Sequence, residues 1–182
     1  MFKRFFYIIY FKDNNNYVKD YKISTNEGCY SVIQTKIDEI CYSEKTKSAI
    51  CFFDTLERKK KASINNISKI NDSYERILMI TKDLLFIAGN NKISLVNVNQ
   101  HSLIRVIDIK DSGWIGDVCI LNENTILTGD WKETIRQWKI EGDNLILNSK
   151  KEKTHDDDIN GIYNLGNGYI ITGSYDNSIK IW

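Results

Sequence analysis

His155 and Asp176 are an imidazole and a carboxylate that could act together as a catalytic dyad. Other residue types invite other chemistry. Asp156, Asp157 and Asp158 could bind a cation, although such a run more often solvates a loop and favours a turn. The ERKKK run from Glu57 to Lys61 could contact phosphate or serve as a basic address. Because it falls between two expected strands, it reads as a solvated loop. Cys29, Cys41, Cys51 and Cys119 form no CxxC pair, and each sits in an apolar run as a small buried hydrophobe would in a reducing compartment. With His101 and His155 the only histidines, no metal site is expected. There is no Gly-rich phosphate loop ahead of a helix and no nucleophile elbow, so neither a catalytic residue nor a cofactor is expected.

These residues belong to a chain of 182 residues, 42% hydrophobic and 27% charged, which is the composition of a globular protein. Its 25 basic and 24 acidic side chains leave a net charge of +1, giving no electrostatic case for nucleic acid or an anionic membrane as partner. Proline is absent, so Gly, Asn and Asp must shape the turns. The opening MFKRFFYIIYF resembles a signal peptide only superficially. Its apolar run, Phe5 to Phe11, is short and aromatic, and no small-residue cleavage site follows. It reads as a β-strand, and it is far shorter than the roughly 20 apolar residues a membrane span needs.

The elements that position the polar residues recur. GSYDNSIKIW (Gly173 to Trp182) and GDWKETIRQW (Gly129 to Trp138) share one frame: a Gly ending an apolar run, a polar turn, then alternating apolar residues. Ile179 and Ile181 alternate with Ser178 and Lys180, the period-two pattern of a strand with one wet face. The third-strand landmark Trp182 recurs at Trp138, Val96 and Phe53, at intervals of 44, 42 and 43 residues. Around each landmark the other strands can be placed. First strands are Cys29–Thr35, Arg76–Ile80, Ile115–Leu121 and Ile159–Asn164. Second strands are Ile37–Tyr42, Leu84–Ala88, Thr125–Thr128 and Tyr169–Thr172. Fourth strands are Lys59–Ile64, Ser102–Asp108 and Leu145–Asn148. Four short antiparallel strands per unit of this length is the period of a propeller blade, and helical three-and-four spacing is not seen. The expected fold is therefore all-β, with blades at 29–66, 67–110, 111–152 and 153–182 and a strand-like N-terminal segment at 1–28.

The stretch THDDDINGIYNLGNGYIITGSYDNSIKIW, Thr154 to Trp182, resembles a WD-repeat. A His precedes the first strand, the second runs into Gly-Ser, an Asp sits in the hairpin and a Trp in the third strand. The third copy is similar, with Asp111 standing where the His would be; Phe53 and Val96 replace the Trp in the first two. The resemblance implies a buried hydrogen-bond chain of His155, Asp176, a strand-two hydroxyl (Thr172 or Ser174) and the Trp182 indole. On that reading His155 and Asp176 staple a blade and catalyse nothing.

The resemblance also implies an interaction platform whose top face gathers the strand-two to strand-three turns and the loops entering each blade, with function in the side chains there. Trp131 and Tyr175 occupy equivalent turn positions, and Trp114 takes the place before a first strand that Asp158 takes one copy later. Trp114, Trp131, Tyr175 and Asp158 are thus a candidate protein-binding rim, since exposed Trp and Tyr are enriched in binding hot spots. The alternative is that Trp114 and Trp131 pack on each other in place of the missing His network. Four copies are fewer than an ordinary ring of this family holds, so a partial or partner-completed propeller is expected, the N-terminal Tyr17–Ser24 being one source of a closing strand beside Trp182. The function expected is a non-catalytic scaffold that binds another protein, with self-association or a second propeller chain included, in the cytoplasm or nucleus. Two alternatives are a gene fragment without independent function and a propeller enzyme or ligand binder using the central channel.

Overall fold

Alternating apolar residues broken by Asn, Asp and Gly turns favour short antiparallel strands, and a computed structural model of the protein is made of strands throughout. It describes residues 4–13, 16–25, 29–44, 49–65, 67 and 76–182. The chain divides into two compact units, Met1–Ser73 and Tyr74–Trp182.

In the first unit, β1 (Arg4–Asp13) pairs antiparallel with β2 (Asn16–Thr25) as a two-stranded sheet. A four-stranded sheet follows: β3 (Val32–Lys36), β4 (Glu39–Glu44), β5 (Ala49–Asp54) and β6 (Lys59–Ile64). Ile23 of β2 packs with Tyr42, Cys51 and Phe53, covering the face of this sheet that carries the first landmark, Phe53. Tyr17–Ser24, expected as a closing strand, lies in β2 and pairs with β1. Two further expectations are corrected. Ile37 is not in a strand but in the β3–β4 turn, where it is 94% exposed. Nor is ERKKK all loop: Lys59–Lys61 begin β6, and Lys61 reaches Asp54 at 3.0 Å and the buried Glu39 at 3.6 Å. The acids on β4 and β5 draw that lysine into the sheet.

The second unit holds three sheets. The first comprises β7 (Arg76–Met79), β8 (Leu84–Ala88), β9 (Lys92–Asn97) and β10 (Ser102–Asp108). The next comprises β11 (Ile115–Asn122), β12 (Thr125–Asp130), β13 (Ile135–Glu141) and β14 (Asn144–Lys151). The last comprises β15 (Ile159–Asn164), β16 (Ile170–Ser174) and β17 (Ile179–Ile181). Each is an antiparallel meander, the propeller-blade arrangement. We call the four meanders blades one to four in chain order.

Blades two, three and four stack face to face. Leu84, Phe86, Ile93 and Leu95 of blade two meet Ile115, Ile126, Trp138 and Ile140 of blade three. The opposite face of blade three, with Cys119, Leu127 and Ile135, meets Ile159 and Ile162 of blade four. Both faces of a blade are thus apolar, and β8 is buried at every residue. Gly116 and Gly129 permit the close approach of blade four. A Cβ on Gly116 would overlap the Ile159 carbonyl, and one on Gly129 would press on the Ile159 side chain.

The repeat extends to irregularities that side-chain patterning does not announce. Opposite each landmark the outer strand carries one extra residue: Lys61, Ile104 and Asn148, next to the partners of Phe53, Val96 and Trp138. Such bulges twist an edge strand away from further pairing. The β8–β9, β12–β13 and β16–β17 turns each hold one residue at positive φ, namely Asn91, Glu133 and Asn177. The polar residues after the first two landmarks close the next turn: Asp54 accepts the N–H groups of Leu56 and Glu57, and Asn97 those of Asn99 and Gln100.

One face assignment is reversed. Ile179 and Ile181 are 73% and 65% exposed, whereas Lys180, on the expected wet face, is half-buried with its ammonium on the Thr154 carbonyl at 2.7 Å. Lys180 and Trp182 share the side of β17 that packs toward blade three, leaving the isoleucine side outward.

Candidate functional site

In blade four the polar residues form a chain of hydrogen bonds. The Trp182 indole N–H donates to Thr172 Oγ1 at 2.9 Å, and His155 Nε2 lies 2.7 Å from the same hydroxyl. His155 Nδ1 lies 2.7 Å from Asp176 Oδ2. The Asp176 carboxylate can only accept, so Nδ1 carries the ring proton that faces it, and in the neutral ring Nε2 accepts from the Thr172 hydroxyl. Ser174, the other hydroxyl considered, stands outside this chain: its Oγ donates to the Asp157 carbonyl at 2.9 Å and accepts the Asp176 N–H at 3.1 Å. Hydrogen bonding from Ser178, the Asp156 N–H and His155 holds the Asp176 carboxyl well below the usual carboxylate range, against its desolvation.

Both imidazole nitrogens are engaged and the ring is 1% exposed, with Trp182 edge-on at 6.4 Å between centroids. A dyad poised for proton transfer needs a reachable nitrogen, and this ring presents none. The Lys151 ammonium lies 4.2 Å over the Trp182 ring, tying blade three to the same indole.

Blade three solves the same problem differently. Trp138 Nε1 donates to Thr128 Oγ1 at 3.0 Å, repeating the Trp182–Thr172 bond. Beside it the Arg136 guanidinium pairs with the Asp130 carboxylate, both almost fully buried. Asp130 also accepts the N–H groups of Lys132 and Thr134 at 2.8 and 3.2 Å. Asp111, expected to stand for the His, contributes its backbone instead: its carbonyl accepts from Arg136 Nη2 at 3.3 Å while its side chain is exposed. The bonds that anchor the two connections, Ile109 N–H to the Asn91 carbonyl and Thr154 N–H to the Glu133 carbonyl, show the blade-three connection to be one residue longer. This buried ion pair is the feature sequence reasoning missed. The signal available for it was that Arg136 shares a side of β13 with Trp138 and Ile140, an arginine in line with two apolar residues.

The rim residues fall into two equivalent pairs. The Trp131 N–H donates to the Trp114 carbonyl at 2.8 Å, and the Tyr175 N–H to the Asp158 carbonyl at 3.1 Å. Trp114 and Trp131 also pack ring on ring, 5.7 Å between centroids and tilted by 43°, both half-buried. Tyr175 is 64% exposed. Burial, reinforced by the charges of Asp157 and Glu133, pushes the Asp158 carboxyl up. The structure thus brings Trp114 to Trp131 and Asp158 to Tyr175, each pair where a turn meets the loop entering a blade.

Among the described residues no group of three His, Cys, Asp or Glu could hold a metal ion. All four cysteines are free; burial pushes the thiols of Cys29 and Cys119 up to about 11, far from nucleophilic thiolates.

The family model described as WD domain, G-beta repeat, matches residues 148–182, the stretch that carries the His155–Trp182 chain. Among solved structures the protein is similar to the WD40 beta propeller domain of Doa1, with a TM-score of 0.68 and 18% identity. That alignment covers 86% of this chain and 51% of the other, so the chain spans about half the length of the solved domain. No curated protein matches. The protein therefore has the fold of WD40 β-propeller blades, and its residues 148–182 match the WD-repeat model.

Proposed function

We propose that this protein is a non-catalytic scaffold that binds another protein through the rim formed by Trp114, Trp131, Asp158 and Tyr175. The observation that carries this reading is the repeated turn: Trp131 and Tyr175 make the same backbone bond in successive blades and differ in exposure, one packed on Trp114 and the other 64% exposed. Large aromatic side chains held on bonded turns offer contact area at low entropic cost, and such residues dominate binding energy at interfaces. The blade interiors are taken up by apolar contacts and by the His155 and Arg136 networks, which leaves the turns to present side chains outward. Free cysteines and a near-neutral charge fit an intracellular protein partner better than nucleic acid or membrane. The test is affinity purification from source cells with the native chain and a Trp131→Ala/Tyr175→Ala variant whose circular dichroism is unchanged. A partner recovered with the native chain and lost with the variant supports the rim. Equal recovery with both rejects it.

A further inference from the structure

A cavity of about 330 Å3 lies against Trp138, between Ile107 and Lys110 on one side and Leu145, Leu147 and Lys150 on the other. A second, of about 420 Å3, lies beside Asn91, Asp111 and Lys132. Both are lined by Asp108, Ile109 and Lys110, so the two make one groove from the β12–β13 turn to the middle of β14. It falls where blade three lacks the imidazole that packs on Trp182 in blade four.

The groove is built and charged. Its wall is fixed by Asn91, whose N–H donates to the Gly113 carbonyl at 2.8 Å. The Asn91 carbonyl accepts from Ile109 at 2.7 Å, and its Oδ1 accepts the Gly113 N–H at 2.7 Å. Its floor is apolar, with Trp138 and Leu145 buried and Leu147 45% exposed. Of its two acids, Asp108 is held by Lys92 at 3.5 Å and Asp111 is exposed at the end beside Lys132. Among the described residues Lys110 and Lys132 have no ion-pair partner, and Lys150 has only the exposed Glu152. Three ammonium groups along an apolar floor complement a chain of carboxylates interrupted by an apolar side chain.

We propose that this groove binds an extended acidic segment of a partner protein, seating one apolar side chain on Trp138 and Leu147 and its carboxylates on Lys110, Lys132 and Lys150. The proposal extends the scaffold reading but uses none of the rim side chains. A failed peptide titration therefore rejects the groove alone, and a failed rim purification rejects the rim alone.

The probe is fluorescein-labelled Asp-Glu-Phe-Glu-Asp-Glu, titrated with the full chain and followed by anisotropy. Saturable binding is expected, weakened about tenfold or more by Lys110→Glu/Lys132→Glu and by replacing the peptide's Phe with Ser. Lys139→Glu, an exposed charge reversal on β13 outside the groove, is the control and is expected to bind as the native chain does. No saturable binding by folded protein, or equal binding by the double variant, overturns the proposal. Tighter binding of an RNA hexamer than of the peptide overturns it too, since the groove would then select phosphates.

Discussion

The indole of Trp182 donates to the hydroxyl of Thr172 at 2.9 Å, and Trp138 and Thr128 repeat that bond one blade earlier at 3.0 Å. What lies behind the hydroxyl differs: His155 and Asp176 in one blade, Arg136 and Asp130 in the other. The same threonine bond therefore satisfies both indoles, while the buried polar pair in each blade is of different chemistry.

Thr172→Val tests the link directly. It keeps the side-chain shape while leaving the Trp182 N–H and His155 Nε2 without their shared partner. Urea denaturation is expected to show a loss of about 1–3 kcal/mol, with the m-value unchanged.

Asp176 gives the molecule an acid-sensitive component. Its carboxyl is depressed in the folded chain, so its stabilisation is full above the unfolded carboxylate range near pH 4 and is lost as pH falls further. Asp176→Asn is expected to lower stability at pH 7 and flatten the acid limb of a stability–pH curve. An unchanged acid limb would show that other carboxylates control it.

The Arg136–Asp130 pair is asymmetric in its consequences. Asp130→Ala strands a buried guanidinium and removes the acceptor of two turn N–H groups, with an expected cost of about 3–5 kcal/mol. Replacing both residues, Asp130→Asn with Arg136→Met, is expected to cost less than Asp130→Ala alone, as thermal unfolding would read.

Blade-to-blade contact rests on two glycines. Gly116→Ala sets a Cβ against the Ile159 backbone, which cannot rotate away, whereas Gly129→Ala presses only on the Ile159 side chain. Both are expected to destabilise, Gly116→Ala by about 3 kcal/mol and Gly129→Ala by less. The reverse order in thermal unfolding would show that blade four approaches differently.

Much of this architecture was legible in the chain. Landmark spacing located the four meanders, and the strands Lys59–Ile64, Leu84–Ala88, Ser102–Asp108 and Ile159–Asn164 lie where alternation placed them. Geometry also joins His155, Thr172, Asp176 and Trp182 as the WD-repeat resemblance implied. What escaped has a common cause. Period-two patterning assumes one wet face, but a blade between two others is covered on both. Arg136 drew no expectation and is buried with Asp130, and Ile179 and Ile181, expected on the apolar face, face out. Bulges at Lys61, Ile104 and Asn148 follow from pairing register, which no single strand's composition records. The Lys110 groove was invisible for a related reason: it is assembled from a connection and an outer strand of neighbouring blades.

The most direct test of the rim as a binding surface is site-specific photo-crosslinking in source cells. A benzophenone side chain is placed at Tyr175, and in a second chain at Leu56, which is 77% exposed on a β5–β6 turn outside the rim. A discrete crosslinked protein from position 175, absent from position 56 and reduced by Trp131→Ala, is the result predicted. The same products from both positions, or none from position 175, would contradict it.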